Sequence, residues 1–135
     1  MNLIENKERI FSQVAQAMET ANRTDQVNVI AVTKYVGIDQ AKALVDTGVC
    51  HIGENRVDKF LEKYQALKDE GLTWHLIGSL QRRKVKEVIN YVDYFHALDS
   101  MKLAQEIQKR ASHPIKCFIQ VNISGEESKH GFAPE

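Results

Sequence analysis

The chain has 135 residues, 43% hydrophobic and 27% charged, and its 18 basic side chains are cancelled by 18 acidic ones. That balance fits one soluble globular domain; it gives no basic stripe for nucleic acid and no acidic block for disorder. The longest apolar runs are strand-sized, too short for a helix that crosses a membrane, and the polar start Met1-Asn2-Leu3-Ile4-Glu5 does not read as a secretory signal.

In chain order, Leu3, Ile10, Phe11, Val14, Met18 and Ala21 share one face at helical spacing, and Asn22-Arg23-Thr24-Asp25 breaks that helix. Val27 to Lys34 reads as a buried first strand that closes on a lysine. An amine at the rim of a packed sheet is expected to be partly desolvated. Desolvation disfavours the ammonium and leaves some free amine, the form a Schiff-base lysine needs. A lysine that snorkels to water from a strand end is the plainer alternative.

Asp39 can cap a helix carrying Ala41, Leu44 and Val45, which Gly48 ends. Val49 to Gly53 reads as a second strand. Asn55 to Asp69 follows as a helix with Val57, Phe60, Leu61, Tyr64 and Leu67 inward. Thr73 to Gly78 is the third strand. Gln81 to Tyr91 reads as one basic amphipathic helix, whose Arg82-Arg83-Lys84 cluster is best read as a solvated face. Tyr94 to Leu98 is the fourth strand. Asp99 or Ser100 can cap the helix with Leu103, Ala104 and Ile107. Ile115 to Ile123 is expected to be the fifth and longest strand. Cys50 and Cys117 fall in strands and read as buried thiols of a reducing cytosol.

Strands alternating with helices call for a parallel sheet covered by helices. A doubly wound nucleotide fold needs a glycine-rich turn after its first strand, and only Gly37 lies near Lys34. A (β/α)8 TIM-type barrel instead gathers chemistry at the C-terminal ends of its strands. Lys34, Glu54-Asn55, His75 with Gly78, Asp99-Ser100 and Asn122 all lie at or near such ends. Asn55, Asp99 and Ser100 also suit helix caps, and His75 a hydrogen-bonded core histidine. The five histidines and two cysteines show no close metal-ligand spacing, and no G-x-S-x-G elbow marks a serine hydrolase.

Five segments, Ala31-Val32-Thr33-Lys34, Gly53-Glu54-Asn55-Arg56-Val57, Trp74 to Gln81, His96 to Ser100, and Gln120 to Glu126 with Lys129 and Gly131-Phe132, occur in this order. Together they resemble the YggS/PROSC family of pyridoxal-phosphate (PLP) homeostasis proteins, which are similar to the N-terminal barrel domain of alanine racemase. The resemblance implies that Lys34 holds PLP as a Schiff base, that Asn55 and His75 lie beside the cofactor or its lysine, and that Asn122 and Lys129 sit on the rim, Lys129 as a second lysine in loading or release. It implies a cytoplasmic role in vitamin B6 homeostasis, passing PLP to apoenzymes, with no settled catalytic reaction. A PLP-dependent racemase-like enzyme and a non-binding fragment are the alternatives. Members of that family are longer. Residues 1–135 are therefore expected to form part of one barrel domain, with strands six to eight and their phosphate-binding segments missing. An open barrel edge is expected to self-associate. Ile30, Val32, Leu76 and Phe118 or Ile119 are the candidates for its bare inner face.

Overall fold

The computed structural model describes residues 2–134. Its first element, α1 (Leu3–Thr20), starts where the Asn2 side chain accepts the Glu5 amide at 2.8 Å, and Asn22 leaves it with a positive φ of 56°. Then come β1 (Ala31–Val32), α2 (Ile38–Asp46), β2 (His51–Glu54), α3 (Val57–Leu67) and β3 (Thr73–Leu76). A short α4 (Val85–Val88) lies between two 3-10 turns, Arg82–Lys84 and Ile89–Tyr91. β4 (Tyr94–Leu98), α5 (Met101–Arg110) and β5 (Lys116–Ile119) complete the order.

The strands form one parallel sheet in the order β1-β2-β3-β4-β5. That order decides between the two folds. A doubly wound sheet reverses direction at a switch point, whereas consecutive right-handed crossovers keep every helix on one face, as in a barrel. Ile52, Trp74, Leu76, Phe95 and Ala97 project from the strands into one cluster with helix residues including Ala41, Phe60, Leu67, Val88, Leu103 and Ile107. Each fully buried side chain of this size contributes about 1.5–3 kcal/mol. Phe60 meets Trp74 edge-on at 5.5 Å, so α3 is locked onto β3.

Alternate strand residues face the other side of the sheet. Register aligns Val32, Gly53, His75, Tyr94 and Lys116 in one row across that side. Leu76, expected there, lies instead in the row Glu54, Leu76, Phe95, Cys117 on the helix-covered side, fully buried. Val32 and Phe118 are 50% and 56% exposed on the bare face. The sheet is the five-stranded part of a barrel wall.

Several expected elements are shorter. β1 has a ladder partner only in β2 among the described residues, and pairing is confined to Ala31 and Val32 rather than running from Val27. The expected fifth strand contracts to Lys116–Ile119, exposed at all four positions, with an isolated bridge between Val121 and Phe132 beyond it. Cys50 and Cys117 are free and exposed, not buried. Among the described residues no helix is long and apolar enough to cross a membrane.

Candidate functional site

Lys34 stands two residues beyond the end of β1, at the C-terminal rim of the sheet. The expected desolvation is not found. Lys34 is exposed, its Nζ lies 5.2 Å from the centre of the Tyr35 ring, and Tyr35 is itself 90% exposed. The amine reaches outward because the chain turns at once: the Val36 amide donates back to the Thr33 carbonyl at 3.2 Å.

The residue before Lys34 is far more constrained. The Thr33 amide donates to the Gly53 carbonyl at 3.0 Å, which extends the β1–β2 ladder by one rung. Its hydroxyl donates to Glu54 Oε2, and its carbonyl accepts from Lys63 Nζ. Lys63 Nζ also donates to Glu54 Oε2 at 2.6 Å. Glu54 is 0% exposed and Lys63 2%. Glu54 ends β2 on the helix-covered side, and Lys63 shares the inner face of α3 with Phe60 and Leu67. Glu54 Oε1 has no partner among the described residues.

Asn55 and Arg56 follow Glu54 and bridge two clefts. One, of about 230 Å³, is lined by Lys34, Tyr35, Glu54, Asn55, Arg56 and Lys59. The other, of about 580 Å³, opens over the ends of β2, β3 and β4, between Asn55, Arg56, Gly78, Ser79, Lys84 and Gln120. Gly78 is required there: a Cβ on it would stand 2.2 Å from the Asn55 carbonyl oxygen. Arg56 is held by Asp58 at 2.7 Å.

His75 sits inside the sheet rather than on the rim, 3% exposed. Its Nε2 lies 3.0 Å from His51 Nδ1 and its Nδ1 2.9 Å from His96 Nε2. The Tyr94 ring stacks on it at 4.7 Å. Both ring nitrogens are taken up, leaving none for a ligand at the mouth. Each link of this row needs one N–H donor and one bare nitrogen as acceptor. Burial, reinforced by His96 and then His51, pulls His75 down to about 4 from 6.5, so the ring stays neutral near pH 7. Burial also lowers His96.

Asn122 and Lys129 lie apart from this group, in the loop after β5. The Asn122 side chain donates to the Glu126 carbonyl at 2.8 Å and accepts from the Gly125 amide at 3.1 Å. Its own amide donates to the Phe132 carbonyl at 2.7 Å, so it ties the loop shut. Gly131, with a φ of 139°, allows that closure, because a Cβ there would meet the Asn122 nitrogen at 2.7 Å. Lys129 is exposed on the loop. The structure thus brings Lys34 and Asn55 together, buries His75 below them, and keeps Asn122 and Lys129 on a separate loop.

Lys63 and the two other histidines of the row were missed as site residues in the sequence. Lys63 carried a signal, since it falls three residues after Phe60 and four before Leu67, on an otherwise apolar face. His51 carried none beyond residue type, and His96 only its place at the head of the segment His96 to Ser100.

The profile of the alanine racemase N-terminal domain matches residues 6–135. A pyridoxal phosphate homeostasis protein of Aquifex aeolicus is 40% identical over all of this chain and 61% of its own length. One from Haemophilus influenzae is 34% identical, over 100% of this chain and 60% of its own. Among solved structures, PipY of Synechococcus elongatus PCC7942 with PLP bound superposes with a TM-score of 0.80 at 27% identity, over 98% of this chain and 59% of that one. A protein from Bifidobacterium adolescentis gives a TM-score of 0.85 at 33% identity, with 98% and 59% covered. The chain spans about three fifths of the length of the curated relatives it matches. With the consecutive parallel strand order and the lysine at the end of β1, this match places the chain in the alanine racemase N-terminal domain family.

Proposed function

We propose that this chain forms the first five strands of a PLP-binding barrel domain, serves intracellular PLP homeostasis, and carries PLP as a Schiff base on Lys34. The observation that carries this reading is the placement of Lys34: an accessible amine at the C-terminal rim, beside Asn55, in a fold that superposes on a PLP-bound structure. The residues present fit the group. A primary amine, an exposed aromatic ring and the cations Arg56 and Lys59 surround one cleft, a donor set suited to an aldehyde and an anionic substituent. When bound, the group supplies an electrophilic aldehyde carbon. Lys34 would hold that carbon through its Nζ, with Asn55 beside it and Arg56 and Lys59 facing the anionic substituent.

His75 belongs to the support of this rim, while Asn122 and Lys129 stand near it in the loop after β5, Lys129 as a second lysine in loading or release. Strands six to eight of the barrel, in this reading, correspond to the part of the relatives that this chain does not span. Transfer of PLP to apoenzymes and self-association through the open sheet belong to the same proposal. The free thiols Cys50 and Cys117 support a reducing, cytoplasmic setting.

The test is titration with PLP followed by borohydride reduction and peptide mass mapping. A saturable near-visible band, with the reduced adduct on Lys34 and lost in Lys34→Ala, is the expected result. Adducts scattered over surface lysines, unchanged by Lys34→Ala, would refute it.

A further inference from the structure

Glu54 borders the Lys34 cleft, and with Thr33 and Lys63 it forms a buried group that holds the residue joined to Lys34. Two opposite charges are withdrawn from water in an otherwise apolar layer between β2 and α3. Such a pair is weak support for stability, because desolvating both ions offsets most of their attraction. One Glu54 oxygen is left with no partner among the described residues, a further cost. What the pair does achieve is geometric. β1 stops at Val32, so the sheet ladder does not fix the Thr33 carbonyl. Lys63 from α3 and the Val36 amide both donate to it, Glu54 on β2 accepts from the hydroxyl, and the Gly53 carbonyl accepts from the amide. Lys34 is therefore free in its side chain and anchored at its backbone.

We propose that Glu54 and Lys63 are positioning residues: through Thr33 they hold the Lys34 backbone so that its amine, rather than another lysine, meets a carbonyl ligand at the mouth. This rests on the reading of Lys34 as the covalent lysine. Orientation of a reacting group lowers its barrier only while the geometry is held, so loosening Thr33 should reduce the reactivity of Lys34 specifically.

The apolar pair Glu54→Met with Lys63→Met removes both charges and nearly keeps the packed volume, an exchange that buried ion pairs often tolerate in stability. Two readouts are combined. Amide exchange at Val36, whose N–H is bonded to the Thr33 carbonyl, reports the clamp without any ligand. Borohydride trapping of PLP reports the fraction of adduct on Lys34. The expected result is an unchanged or raised unfolding midpoint, Val36 exchange faster by about tenfold, and Lys34 selectivity lower by a similar factor. Unchanged exchange would overturn the clamp. Faster exchange with unchanged selectivity would overturn its positioning role. Failure of the unmodified chain to trap PLP on Lys34 would sink the parent reading and this one with it, and is recognised because it precedes any substitution. Should the pair not fold, Thr33→Val, which deletes only the hydroxyl donor to Glu54, carries the same comparison.

Discussion

His75 shows how a residue's neighbours set its chemistry. Its folded-state proton affinity is depressed from 6.5 to about 4 by burial, with His96 and His51 adding to the effect. The unfolded chain takes up the proton first on acidification. The stability held by the neutral ring is therefore complete above pH 6.5 and is lost as pH falls towards 4. Urea unfolding at pH 7, 6 and 5 should show a falling midpoint, and His75→Gln should flatten that slope; an equally steep slope in the variant would exclude His75 as its source. The sequence identified His75 as a residue to watch and also suggested its alternative, a hydrogen-bonded core histidine. It could not show the row, because His51, His75 and His96 stand 24 and 21 residues apart and only strand register joins them. Lys34 was legible for the opposite reason, since its position at the end of an apolar run is written locally. Its exposure was not, because that depends on how abruptly the chain turns after Thr33.

Elements with a complete local signal kept their expected bounds. β4 runs from Tyr94 to Leu98, as its apolar pattern indicates, and Ser100 caps α5 by accepting the Leu103 amide at 3.2 Å. Ser100→Ala should lower the unfolding free energy by about 1 kcal/mol, as for a typical N-cap, measured by chemical denaturation. No change would mean that water replaces the hydroxyl. The expected helix from Gln81 to Tyr91 breaks into short turns instead. Only Val85–Val88 is α-helical, and the stretch tightens into 3-10 turns on either side of it, all three pieces contacting α5. β1 and β5 shrink as well. Residue type records what a strand can pair with, whereas ladder length depends on the partner strand, and each has one neighbour among the described residues.

The whole molecule is a sheet clothed on one side. Phe118 is 56% exposed on the bare face, and among the described residues β5 pairs along one edge only. Such a face favours association. Sedimentation velocity over a range of concentrations should show the chain forming larger species, and Phe118→Glu should shift it back towards monomer; a concentration-independent monomer would refute self-association. The barrel-type architecture was legible in the βα alternation and in the missing glycine-rich turn, while the unclothed side required register to see. The strand order has a further consequence, for synthesis. Every strand pairs with the one translated just before it, across a single intervening helix-sized segment. No early strand has to wait for a distant partner, so the sheet can grow in one direction as the chain leaves the ribosome, each βα unit serving as the template for the next.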